Sequence, residues 1–324
     1  MRRWPHPARE RGAALLLAML TVTLVASVAA AALWQQWRAT EIEMAERQRQ
    51  QAGWVLTGAL DWARLILRED ARGNRNEGNA DHLDEPWAMP LEEARLSSFL
   101  AVDRDNSADE VMQAFLSGEL IDMQSRLNFT NLVRLTAEQG GTRVEVSQPD
   151  LEAFTRLYEL LELPQGELQA AVEALRQTYS QAANDPMPSP TPLLPRKLAQ
   201  LSWFGISASS IAALEPHVTV LPQRSTLNLN TANLRTLAAG VPGLDLARAQ
   251  QLVTARERRP FIQLEDAARI LNSAEVGLAQ EHHGTRSRFF QVRGRLRLEG
   301  AVIEERSLVV RDDLNVRVVW RERI

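Results

Sequence analysis

The chain contains no cysteine, so neither a disulfide framework nor a thiolate metal site can hold it together. Its five histidines are scattered. The adjacent pair His282-His283 stands beside Gly284, where neighbouring side chains point apart, and reads as solvated rather than ligating. No GxSxG nucleophile turn, HExxH helix or P-loop is present, and the acid-rich helices read as solvated faces, so an enzyme is the weaker class. A formal net charge of -4 over 324 residues supplies no general surface for nucleic acid.

Charge is missing from one stretch in particular. From Ala13 to Leu33 nothing is ionisable, and at ~1.5 Å per residue the run crosses a hydrocarbon core of ~30 Å. Arg2, Arg3, Arg9 and Arg11 precede it, which predicts a cytoplasmic N-terminal tail, a single pass through the inner membrane and the bulk of the chain in the periplasm. A removable secretory signal has a shorter apolar core and a small-residue cleavage site, whereas Trp34, Trp37 and Arg38 follow this run. An uncleaved signal anchor is the plain reading. The junction Arg11-Gly12-Ala13 also resembles the cleavage site of type IV pilin precursors, cut on the cytoplasmic side after glycine. That resemblance implies removal of residues 1–12 by a prepilin peptidase and N-methylation of the new Ala13 terminus. Most pilins and pseudopilins carry glutamate at the fifth mature position, where this chain has Leu17. The family's carboxylate pairs with the terminal amine of the subunit ahead, so a subunit with nothing ahead of it needs none.

Proline is absent from Glu41 to Asp70, where Val55, Ala59, Trp62 and Ile66 recur at spacings of four, three and four. The pattern predicts that the helix continues and lays this stripe on a sheet, ending in the run Arg72–Asn79. DHLDEPWAMP, Asp81 to Pro90, reads as a tight loop anchored by Trp87. Asp103, Asp105 and Asp109 could place oxygens around calcium, but the spacing lacks the glycine and terminal acid of an EF-hand loop and reads as a solvated turn. Gly118 to Leu135 predicts two short strands around a Gln124-Ser125 turn, with Asn128 and Asn131 bonding backbone. Two amphipathic helices follow between Asp150 and Gln181, then the proline-rich stretch Asn184–Pro195, which excludes regular structure. After Gly205, Ile211 and Leu214 mark a buried helix face. Leu227 to Ala232 alternates like a strand, Thr231 is the predicted cap of the next helix, and two more helices follow. Ser287 to Trp320 reads as an antiparallel meander with one polar face.

Taken together, WAMP, IDMQSRLNFTNL and LNLNTA resemble the minor pseudopilin K of bacterial type II secretion systems, also called general secretion pathway protein K, over nearly the whole chain. The resemblance implies an α+β, pilin-like fold: a long N-terminal membrane helix packed on an antiparallel sheet, with a large all-helical domain inserted between strands. In that scheme residues 1–12 are the leader and 13–33 the transmembrane helix. Residues 34–135 begin the pilin-like domain, 136–280 form the insert and 281–324 return the last strands. The implied role is capping the tip of the pseudopilus and helping to start its assembly for protein secretion. Expected partners are minor pseudopilins I and J, the major pseudopilin fibre, the prepilin peptidase, and secreted substrate or secretin. No cofactor is expected except calcium, which many relatives bind through an acidic loop near the proline-rich stretch, where this chain has only Asp185.

A rival reading rests on residues 227–270, which look like a helix-hairpin-helix module presenting amides to DNA phosphates. Val241-Pro242-Gly243 would be the hairpin, with Arg248, Arg256, Arg258 and Arg259 reaching the backbone. Asp245 stands where a second glycine is usual, and a carboxylate there repels phosphate. Leu244, Leu252, Val253 and Phe261 also fall at core spacing, so packing alone explains the motif and no nucleic acid is expected.

Overall fold

The structure, a computed structural model, describes residues 11–77, 80–95, 114–138, 141–184, 193–271, 276–298 and 301–324. It divides into two units, Met1–Val55 and Leu56–Ile324. The first is helical throughout its described residues, as the early part of α1 (Arg11–Glu77). An 18-residue window there reaches a mean hydropathy of 2.3 with none of it buried against protein. Such a face has no place in water and is long enough to span a bilayer. Its few polar side chains are satisfied within the helix. Thr21 and Thr23 hydroxyls donate to the Ala18 and Leu20 carbonyls at 2.9 and 3.0 Å, and Ser27 donates to Thr23 at 2.7 Å.

The second unit is built on a five-stranded antiparallel sheet, in the order β1 (Leu91–Arg95), β2 (Ala114–Asp122), β9 (Phe289–Leu298), β10 (Ala301–Asp312) and β11 (Asn315–Arg323). The meander from β9 to β11 closes with a tight turn at which Asp313 adopts φ 57°, a left-handed conformation that aspartate tolerates better than bulky residues. The later turns of α1 lie on one face, where Leu60, Ala63 and Leu67 pack with Trp87, Phe290, Val292, Val309 and Val316. The face that α1 uses is Leu56, Leu60, Ala63 and Leu67, one residue on from the predicted Val55, Ala59, Trp62 and Ile66. Both sets have the same spacing and lie ~100° apart around the helix. The sheet takes the set with three leucines, and Trp62 is left 61% exposed. Gly294 permits the close approach, since a Cβ there would lie 3.1 Å from Leu56 Cδ2.

The opposite sheet face is not polar at this end, as the alternation had suggested. Phe289, Leu308 and Val310 are buried there under Met123 and Leu221. These two belong to the insert between β2 and β9, which supplies its own core of Phe129, Phe154, Leu157, Leu175, Leu237 and Leu252 among others. Its helices are α2 (Gln148–Leu160), α3 (Gln165–Asn184), α4 (Ala208–Leu214), α5 (Leu234–Gly240), α6 (Leu246–Arg258) and α7 (Leu264–Leu271). The expected all-helical insert also carries strands. β4 (Val133–Glu138) and β5 (Gly141–Val146) form a hairpin, while β3 (Leu127–Asn128) pairs in parallel with β6 (Val218–Thr219), and β7 (Leu227–Asn228) with β8 (His283–Gly284). Backbone groups entering and leaving a domain need partners, and such short ladders satisfy them where the chain crosses.

Candidate functional site

Gly12 and Ala13, the predicted cleavage junction, fall in the opening turn of α1, and Leu17 is 68% exposed on its apolar surface. Asp103, Asp105 and Asp109 lie outside the described residues, as does Asp185.

The three segments that carried the resemblance meet in space. Asp122 closes β2 at the start of IDMQSRLNFTNL, and its carboxylate accepts from Gln124 N–H at 2.7 Å, Asn228 Nδ2 at 3.1 Å, Thr231 Oγ1 at 2.5 Å and Ser287 Oγ at 2.6 Å. Asn228 and Thr231 belong to LNLNTA. Thr231 therefore serves Asp122, and the helix it was predicted to cap is capped by Asn233, whose side chain accepts from Thr236 N–H at 2.9 Å. Asn228 also donates to the Asp81 carbonyl at 3.1 Å, and Asp81 opens the loop that carries WAMP. Trp87 of that loop is fully buried, meets Phe290 edge-on at 5.1 Å and donates to Glu85 Oε2 at 2.6 Å. Polar side chains at strand ends were legible as turn formers. Their convergence is tertiary and was not.

Arg311 on β10 completes the node. Its guanidinium donates to Asp70 Oδ2 at 2.7 Å, to Asp81 and to the Ser287 carbonyl at 2.9 Å, and stacks 4.9 Å from the Phe290 ring centroid. Burial opposes the Arg311 charge, but Asp81 and Asp70 outweigh it and raise its pKa. Burial and the neighbouring Glu85 raise Asp70, with Arg311 pulling the other way. Burial also pushes Asp122 up to about 6, against its hydroxyl donors. Asp70, Asp81 and Glu85 bring carboxylate oxygens within 4.8 Å of one another, as a cation site would. The fit to a metal fails on Arg311, whose guanidinium already bonds two of the three carboxylates. The node thus joins the end of α1, the sheet and the insert by charge-assisted hydrogen bonds.

The hairpin of the rival reading is formed, with Gly243 at φ 75°, a conformation that favours glycine. Its ligand-facing arrangement is not. Arg256 is buried and donates through Nη1 to the Leu229 and Ala232 carbonyls, both at 2.7 Å. Asp245 caps α6 by accepting from Arg248 N–H at 2.7 Å. Arg256 therefore works as an internal strut.

An apolar N-terminal helix compatible with a single-pass membrane anchor, its later turns packed on an antiparallel sheet, gives the chain a pilin-like α+β fold. Family models described as type II secretion system protein K match residues 125–223 and 227–286. Type II secretion system protein K of Pseudomonas aeruginosa is 25% identical over 300 residues, covering 87% of this chain and 83% of that protein. The protein of the same name from Pectobacterium carotovorum subsp. carotovorum is 24% identical over 339 residues, 97% of each chain. A chain of the crystal structure of the GspK-GspI-GspJ complex from the enterotoxigenic Escherichia coli type 2 secretion system matches with a TM-score of 0.59 at 17% identity, over 86% of this chain and 98% of that one. The chain is thus similar to type II secretion system protein K in both matched segments and, at about one residue in four, over most of its length.

Proposed function

We propose that this chain is a minor pseudopilin that caps the tip of a type II secretion pseudopilus and helps to start its assembly, acting as a structural subunit without catalysis. The observation that carries this is the insert. It rises from the sheet at the end where β2 stops and β9 begins, beside the C-terminal end of α1, and Asp122 and Arg311 lock it there. A bulky domain at that end of the sheet obstructs the stacking of a further subunit. Leu17 supports the same reading, because it removes the carboxylate that would reach for a subunit ahead. Residues 1–12 are cleaved by a prepilin peptidase, Ala13 is N-methylated, the apolar helix stays in the inner membrane and the second unit lies in the periplasm. Its partners are minor pseudopilins I and J, as in the complex of its structural neighbour, with the major fibre below and exported protein or secretin beyond.

The test is intact mass and N-terminal sequencing of the chain made with and without prepilin peptidase, beside Gly12→Ala. A chain beginning with methylated Ala13, formed only with the peptidase and lost in Gly12→Ala, is expected. Co-expression with I and J should then yield a ternary complex. Retention of Met1 in every case would overturn the reading.

A further inference from the structure

The apolar part of α1 ends in an abrupt change of surface chemistry. From Ala13 to Leu33 the helix rises about 30 Å, the thickness of a hydrocarbon core. Trp34 and Trp37 stand at the boundary, one turn apart on the same face, and they are 62% and 55% exposed. Their ring centroids lie 5.6 Å apart with 50° between the planes, so the two indoles form one plate. Arg38 follows as the first charged residue after the run.

These three side chains are not used inside the protein. Among the described residues neither indole N–H donates to a protein group, and the first ion pair along α1 is Arg47 with Glu43 at 2.6 Å, more than two turns beyond Arg38. Thr40, in the next turn, is satisfied within the helix, its hydroxyl donating to the Gln36 carbonyl at 2.9 Å. Neither bulk water nor hydrocarbon suits the group. Water leaves the aromatic area uncovered, whereas hydrocarbon strands the indole N–H groups without acceptors and penalises the guanidinium further. The layer between them meets all three needs: acyl chains against the rings, ester carbonyls for the N–H groups and a phosphate for the guanidinium fork. The plate is also continuous with the apolar run. Leu33, beside Trp34, is 67% exposed, so the lipid that covers the run reaches the indoles.

We propose that Trp34, Trp37 and Arg38 form a headgroup-binding collar that fixes how deep α1 sits, with the glycerol-phosphate layer of the bilayer as its partner. The inference rests on the membrane-anchor reading. The collar decides which turn of the helix leaves the bilayer, and it holds that turn in place when the lipid thickness changes.

The chain has no cysteine, so one can be introduced and spin-labelled at a chosen depth. The test uses the full chain in phosphatidylethanolamine and phosphatidylglycerol vesicles of three acyl-chain lengths, labelled at Val25→Cys or Gln36→Cys. Depth is read from collisions with oxygen, which enters hydrocarbon, and with a water-soluble nickel chelate. Val25→Cys should meet oxygen and not nickel, and Gln36→Cys should read at headgroup level. Across the three thicknesses the Gln36→Cys depth should hold within ~1.5 Å, one residue's rise, and should drift by ~3 Å or more when Trp34→Ala, Trp37→Ala and Arg38→Ala are combined. Circular dichroism establishes that this variant keeps its helix. A Val25→Cys label open to nickel would overturn the anchor reading and the collar with it. With Val25→Cys in hydrocarbon, equal drift with and without the three substitutions overturns the collar alone. So does a Gln36→Cys label shielded from both reagents and spin-coupled to a second copy, which would make the indole plate a helix-pairing surface.

Discussion

Arg311 on β10 and Asp70 near the end of α1 meet at 2.7 Å although 241 positions separate them in the chain. The same guanidinium holds Asp81, so one cation serves two buried carboxylates from two elements. Removing it leaves charge in a place that water does not reach. Arg311→Met is expected to destabilise the second unit by about 3–5 kcal/mol. Urea unfolding followed by tryptophan fluorescence measures this, and Asp70→Asn combined with Arg311→Met should recover part of the loss.

Asp122 makes stability depend on pH in a direction opposite to that of most paired carboxylates. Its folded pKa is raised to about 6 from 3.8, so the native state holds a proton that the unfolded chain has released. The resulting stabilisation is complete below pH 3.8 and is lost as pH rises through about 6. Thr231 or Ser287 can turn its hydroxyl to accept when the proton is present, whereas Gln124 N–H and Asn228 Nδ2 can only donate. The stability of the native sequence relative to Asp122→Asn should fall between pH 4 and pH 7, by at most ~3 kcal/mol. Denaturant titrations at five pH values decide it, and a constant difference would count against the shift.

Trp87 and Trp62 should respond in opposite ways to truncation. Trp87 is 1% exposed, against Phe290 and bonded to Glu85, whereas Trp62 is 61% exposed. Trp87→Ala is expected to cost about 3–5 kcal/mol, and Trp62→Ala to stay within about 0.5 kcal/mol for the isolated chain. Chemical unfolding of the two variants in parallel provides the comparison.

That contrast also marks where the sequence was legible. The membrane run, the long helix, the Trp87 anchor, the strand-turn at Gln124-Ser125 and the last meander all follow from local composition and period, which depend on neighbours within a few residues. The face of α1 did not, because Trp62 and Ala63 each belong to an apolar series of identical spacing and only the sheet chooses between them. The second buried face of the meander was hidden for a related reason: what covers Phe289 and Leu308 is Leu221, more than 60 residues away along the chain. Asp122, Asn228, Ser287 and Arg311 carried a faint signal, polar residues set in apolar strand patterns. Nothing local says that they face one another.

The hairpin segment offers the sharpest separation between a structural and a binding role. If its arginines served DNA, replacing Arg258 and Arg259, which are exposed, would matter more than replacing Arg256, which is buried. The geometry reverses that order. Arg256 spans from α6 to two carbonyls just before α5, and Arg256→Ala leaves both acceptors buried and unbonded. The expected loss is about 1–3 kcal/mol for each stranded group. Arg258→Ala with Arg259→Ala should leave thermal stability unchanged, and the native chain should show no salt-sensitive retention of duplex DNA. Thermal unfolding and a fluorescence-anisotropy titration with labelled duplex at low salt read the two halves separately. A saturable anisotropy change lost with Arg258 and Arg259, and insensitive to Arg256, would make the hairpin a binding surface and not a strut.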